Sequence, residues 1–265
     1  MNKKRLEKIY SDIKEIKIQG ATNIAKAAVK AYLLDPSEKT KKKLLSLRPT
    51  EPTLTNSINY LEKWSKEKVL NHFLNAQEKI NKNVYKIIKE GDRIYTHCHS
   101  TNVSKALVYA KKKGKRFEVC NTETRPLFQG RITAIELAKA KIKVTTFVDS
   151  AMQQAIKQSD ILLIGSDAIL KKSVINKVGS AAISELAFLH RRPLYIVADS
   201  WKFSPKNVKI EERDFNEVWK HAPKNIKIRN PAFEKIEKKY IKGIISEYGI
   251  LSYDKFIRKA EKTIS

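Results

Sequence analysis

Apolar residues recur at helical spacing through roughly the first 90 residues. Leu6, Ile9, Tyr10, Ile13 and Ile16 fall on one helix face, with Lys and Glu between them. After a break at Gln19-Gly20, an Ala-rich stretch predicts a second helix over 21–34, stopped by Asp35-Pro36. A basic third helix is predicted over 37–46. Proline punctuates the connection 47–52 (Arg48-Pro49-Thr50-Glu51-Pro52), and two more helical stretches run to about Lys89. No strand-like alternation interrupts this half.

The pattern changes at the Gly91-Asp92 turn. Apolar runs at 93–97, 117–121, 143–148, 160–165 and 193–198 read as strands. Between them, 103–113, 132–140, 152–157 and 181–191 read as helices. Strands alternating with helices of this length predict βαβ units and a parallel sheet. Such sheets bind ligands outside the carboxyl ends of their strands, so chemistry is expected there. The tail reads as an irregular charged segment over 210–231, then a helix over 238–248 that stops at Gly249. No repeat or low-complexity linker is present.

Composition narrows the class. The chain has 265 residues, which suits one large domain or two smaller ones. The change of pattern sets these as a helical domain at 1–90 and an α/β domain at 91–265. A hydrophobic content of 42% supports a real core and argues against global disorder. No run approaches the ~18 apolar residues of a membrane span, and no apolar stretch follows the basic start as a secretory signal would require. Cys98 and Cys120 are too far apart for a CxxC pair, so a disulfide scaffold is not expected and a cytoplasmic setting is. Lys+Arg number 54 against 28 Asp+Glu, a net charge of +26. That charge fits an RNA partner, an anionic substrate or a lysine-rich composition. The basic runs at 41–43 and 111–113 fall in helices and read as solvated faces, which makes nucleic acid the weaker expectation.

The strand ends carry the candidate chemistry. The first predicted strand runs into Thr96-His97-Cys98-His99-Ser100 just before a helix. A cysteine at such a junction lies near the positive end of the helix dipole, where the thiolate is favoured and its pKa falls. The alternative is an inert small hydrophobe. His-Cys-His along a strand makes a poor site for one metal, because alternate residues face opposite ways. The fourth strand ends in Gly165-Ser166-Asp167 after a run of Ile and Leu. There Asp167 is either a partly desolvated carboxyl that keeps a proton at neutral pH or a helix N-cap. Arg125, the loop pair Asn176-Lys177, and Lys202 stand beyond other strand ends, as a shared anion site would require. Neither GxGxxG nor GxxxxGK[ST] occurs, so the dinucleotide and P-loop motifs lack support.

From Thr96 to Phe203 these residues resemble a superfamily. It includes ribose-1,5-bisphosphate isomerases, methylthioribose-1-phosphate isomerases and the regulatory subunits of initiation factor 2B. The resemblance is strongest to the archaeal bisphosphate isomerases. It rests on Thr96-His97-Cys98-His99-Ser100, Thr122-Glu123-Thr124-Arg125-Pro126 with Gln129-Gly130, Val148-Asp149-Ser150-Ala151 and Val174-Ile175-Asn176-Lys177. Arg48-Pro49-Thr50, Pro223-Lys224-Asn225-Ile226 and Asn230-Pro231-Ala232-Phe233 extend it over nearly the whole chain.

The resemblance implies a helical domain followed by a Rossmann-like parallel-sheet domain. It also implies conversion of ribose 1,5-bisphosphate to ribulose 1,5-bisphosphate in nucleotide salvage, without metal or cofactor. Cys98 and Asp167 would be the catalytic thiol and carboxyl. Gly20, Ala21 and Thr22 would form a phosphate-contacting turn. Arg48, Ser100, Thr101, Asn176, Lys177 and Lys202, with Arg125, would line the rest of the site. A homodimer or hexamer and AMP as an activator are implied too. The competing implication is a non-catalytic subunit of the initiation factor 2B type, and a third is methylthioribose 1-phosphate as substrate. Departures from the isomerase pattern are Gln19 in place of Arg, Thr22-Asn23 in place of a Gly-basic pair, Lys171-Lys172 in place of Asn-Gly, and Glu234-Lys235-Ile236 in place of Asp-x-Thr-Pro. The chain is also shorter between Leu33 and Lys89.

Overall fold

The structure, a computed structural model, describes residues 2–15, 17–18 and 20–264. Ile16 and Gln19, both invoked above, lie outside the described residues. The helical half comprises α1 (Asn2–Lys14), α2 (Ala21–Leu34), α3 (Glu38–Leu47), α4 (Pro52–Leu61) and α5 (Lys66–Ile87). Ser37 caps α3 by accepting from the Thr40 N–H at 3.2 Å. Pro52 opens α4, where its missing N–H leaves no partner unsatisfied. Ile13, Ile24, Leu44 and Ile58 are fully buried in the core of this bundle.

The second half runs β1 (Arg93–Thr96), α6 (Thr101–Lys112), β2 (Glu118–Thr122), α7 (Gln129–Lys139), β3 (Lys143–Phe147), α8 (Met152–Lys157), β4 (Ile161–Ile164), β5 (Ala168–Ile169), β6 (Ser173–Lys177), α9 (Ser180–Leu189), β7 (Leu194–Val197), β8 (Phe233–Glu237), β9 (Gly243–Ser246), β10 (Gly249–Leu251) and α10 (Tyr253–Ile264). A seven-stranded sheet has the order β10-β9-β7-β4-β1-β2-β3. Its strands are parallel except β10, which returns antiparallel on β9. This is a helical region followed by a Rossmann-like α/β sheet. The winding reverses between β1 and β4, which opens a crevice at their carboxyl ends.

Alternate residues of the buried strands feed two cores. Leu162, Ile164 and Ile196 enter one, and Ile161, Leu163 and Val197 the other. The helix α5 also serves the sheet, because Ile80 and Val84 join the second core.

The tail corrects the sequence reading. Residues 238–248 are not a helix: a single 3-10 turn (Lys238–Tyr240) leads into β9, and Gly249 (φ 111°) begins β10. Ile241, Ile244, Ile245 and Tyr248 mimic helical spacing, but the neighbours Ile244 and Ile245 are buried in opposite cores, as a central strand requires. The amphipathic α10 that follows was not anticipated. Nor was a second, antiparallel sheet, β5-β6-β8, which makes Asn176-Lys177 strand rather than loop. No helix among the described residues is long and apolar enough to cross a membrane.

Candidate active site

Cys98 and Asp167 follow β1 and β4, the two strands that flank the crevice. Cys98 sits in the left-handed region (φ 62°), an uncommon conformation for a residue with a Cβ. Two threonines hold it there: its N–H donates to Thr124 Oγ1 at 3.1 Å, and Thr133 Oγ1 donates to its carbonyl at 2.8 Å. The flanking histidines are committed elsewhere. Val178 O, 3.0 Å from His97 Nε2, requires a proton on that nitrogen, so Nδ1 accepts from Thr122 Oγ1 at 3.0 Å. His99 Nδ1 lies 3.0 Å from Thr133 Oγ1. Gly165 follows β4 and packs against the start of α6. A Cβ there would meet Ser100 Oγ at 2.5 Å, so only glycine permits the approach.

The small sheet carries the next group. Asp167 donates its N–H to Ile175 O at 2.9 Å, and its successor begins β5. The helix-cap alternative for Asp167 is thereby removed. Asn176 and Lys177 end β6 on the same cavity; Asn176 Nδ2 donates to Ser180 Oγ at 2.8 Å, and Lys177 Nζ lies 5.0 Å from the Phe233 ring centroid. Lys202 enters from the turn after β7, is 6% exposed, and donates to Ser166 O at 2.5 Å. Its neighbour Trp201 anchors that turn to the helices, with stacked ring centroids 4.7 Å from Tyr60 and 3.8 Å from His72. Asn56 of α4 donates to Trp201 O and Phe203 O at 2.7 and 3.0 Å.

The helical half closes the other wall. Gly20 (φ 84°), Ala21 and Thr22 bring the amino end of α2 to the cavity beside Ser100 and Thr101 at the amino end of α6. Two helix amino termini thus face one space, which favours anions. Arg48 and Glu51 come from the α3–α4 turn. Arg48 Nε donates to Glu211 Oε1 at 3.1 Å, and its Nη2 lies 3.5 Å from Glu51 Oε1. Arg125 is not part of this cavity. Its guanidinium donates to Val218 O at 3.1 Å and lies over the Phe128 ring.

Burial sets the protonation states. The Cys98 thiol is pushed up to about 11 by desolvation and by repulsion from Asp167, against the pull of Lys177. The sequence reading expected the opposite direction. It weighed the helix dipole and missed the enclosure. Desolvation also raises the Asp167 carboxyl, opposed by Lys202, Lys177 and Arg48. His97 is lowered to about 4 by burial, so it is neutral at physiological pH. Glu51 is pushed up to about 8 by burial and by Asp167. Sequence reasoning passed over Glu51, although it stands in the quoted Arg48-Pro49-Thr50-Glu51-Pro52 connection. Arg213, which also lines the cavity, gave no signal within its irregular segment.

A crevice at the sheet's switch point, lined by a thiol, a protonatable carboxyl, buried cations and two helix amino ends, defines a site for acid–base work on an anionic ligand. Residues 13–253 match the Initiation factor 2 subunit family, and the chain belongs to that family. It is 38% identical to the ribose 1,5-bisphosphate isomerase of Methanocaldococcus jannaschii, over 93% of this chain and 91% of that protein. It is 36% identical to the isomerase of the same name from Archaeoglobus fulgidus, over 78% and 76%. Among solved structures, the Pyrococcus horikoshii translation initiation factor eIF-2B superposes with a TM-score of 0.84 at 26% identity, covering 94% of this chain and 97% of that one.

Proposed function

We propose that this protein isomerises ribose 1,5-bisphosphate to ribulose 1,5-bisphosphate. The supporting observation is the placement of Cys98 and Asp167 on one cavity whose walls carry Arg48, Lys177 and Lys202. The substrate's C1 oxygen bears phosphate, so its ring must open with that phosphate in place. Asp167 in its protonated form donates to the ring oxygen. As the bond from C1 to the ring oxygen breaks, the Cys98 thiolate removes the C2 proton, giving an enol phosphate with its double bond between C1 and C2, and then returns that proton to C1. The Asp167 carboxylate then accepts the C2 hydroxyl proton as the ketone forms. Every proton is accounted for, and both residues end as they began.

The active state pairs a thiolate with a protonated carboxyl. Asp167 raises the Cys98 thiol by repulsion, so the proton that readies the acid also favours the base. The two titrate as a pair. Arg48, Lys177, Lys202 and the amino ends of α2 and α6 hold the phosphates. A homodimer or hexamer, and AMP as activator, belong to the same proposal.

Incubation of the purified protein with ribose 1,5-bisphosphate is expected to yield ribulose 1,5-bisphosphate, followed by phosphorus NMR. Cys98→Ser and Asp167→Asn should each lower kcat by at least about 10²–10⁴, the usual contribution of a positioned acid or base. Unchanged turnover in either variant would refute that residue's role. A chain serving only as a translation-factor subunit would turn over nothing. Preference for methylthioribose 1-phosphate would move the substrate assignment.

A further inference from the structure

Glu51 is an acid in a site built for anions. It is 3% exposed and stands at the turn into α4, beside Arg48. Its Oε1 lies 3.5 Å from Arg48 Nη2, while its buried Oε2 has no hydrogen-bond partner among the described residues. Arg48 is already engaged, since its Nε donates to Glu211 at 3.1 Å. A buried carboxyl oxygen left without a partner is costly unless a ligand completes it.

We propose that Glu51 is a ligand-contacting residue of this cavity, donating the O–H of its neutral carboxyl to a phosphoryl oxygen held beside Arg48. The inference rests on the proposed bisphosphate reaction for its ligand, but its chemistry needs only a tetrahedral dianion. Phosphoryl oxygens only accept, so an ionised Glu51 would repel them, while a protonated one donates. The groups facing it favour the protonated form. Burial and the Asp167 carboxyl beyond β4 raise its proton affinity most, with Glu211 of the segment after β7 adding to them. Arg48 and Lys202 oppose. Lys177 and Arg213 also line the cavity, and burial lowers His97 and His99. With the carboxyl at about 8, it is mostly protonated at neutral pH, and an arriving dianion strengthens its hold on the proton.

Sulfate is the direct probe, because it stays a dianion from about pH 6 to 9.5. Calorimetric binding to wild type is expected to weaken about tenfold between about pH 7 and 9, as Glu51 ionises. Glu51→Gln keeps a donor and cannot ionise, so it should match wild type near pH 7 and, with Asp167→Asn added to silence the second carboxyl, stay flat. Glu51→Ala loses the donor and should bind roughly tenfold more weakly near pH 7. Asp167→Asn alone should keep a slope but move it to lower pH, because it removes one repulsive charge. The KM for ribose 1,5-bisphosphate in Glu51→Gln should match wild type near pH 7. A slope retained in Glu51→Gln with Asp167→Asn, or no slope in Asp167→Asn alone, overturns the proposal. The sulfate measurement needs no turnover. An inactive protein with the Glu51-dependent slope would refute the reaction and keep this residue's role, and an active one without it would do the reverse.

Discussion

Cys98 is pulled two ways: the amino end of α6 draws it toward thiolate, and the protein enclosing it draws it back to thiol. Enclosure and the neighbouring Asp167 prevail, leaving it near 11. Iodoacetamide should therefore label Cys98 slowly at about pH 7, with the rate rising about tenfold per pH unit toward 11, since only the thiolate reacts. Asp167→Asn should shift the whole profile to lower pH. A wild-type rate that levels off below about pH 9 would mean that the dipole dominates. Cys120, 2% exposed within β2, should remain unlabelled, and peptide mapping separates the two. The positions of Cys98 and Asp167 were legible because both stand where an apolar run ends. Their protonation was not, because a sequence displays neighbours along the chain and not the atoms that close over a side chain. The same blindness hid Glu51 inside a proline-bounded connection.

At the scale of elements, the five parallel strands read from the sequence all exist; β4 and β7 were plainest, because a strand buried on both faces is nearly all apolar, while the exposed edge strand β3 showed itself by its β-branched residues and flanking turns. The two-residue β5 is too short to leave a pattern, so the sheet that turns Lys177 into the site was invisible. The turn after β7 was legible only in part. Lys202 announced its charge, while the role of Trp201 depends on Tyr60 and His72, more than 100 positions away in the chain. That indole, 1% exposed, joins the lysine's turn to α4 and α5. Trp201→Ala should cost about 3–5 kcal/mol, read by calorimetry as a lower Tm at about 2–4 °C per kcal/mol. It should also raise the KM for the bisphosphate several-fold, because Lys202 loses its support. Trp201→Phe should recover part of both. A fall in stability with unchanged KM would separate the turn from ligand binding.

Across the whole molecule, the net charge of +26 divides by place. Arg48, Lys177, Lys202 and Arg213 face the cavity. Others, such as Lys39, Lys42 and Lys43 on α3, are exposed, and their field concentrates anions around the protein without touching the ligand. Arg48 is held in the cavity wall by its ion pair with Glu211, so arrival and retention answer to different charges. In stopped-flow mixing with the bisphosphate, the initial slope of the observed rate against ligand should fall as salt is added, because the surface field is screened. A slope indifferent to salt would show that the exposed cations take no part in arrival. The outer lysines thus set how soon an anion comes, and the enclosed cations how long it stays.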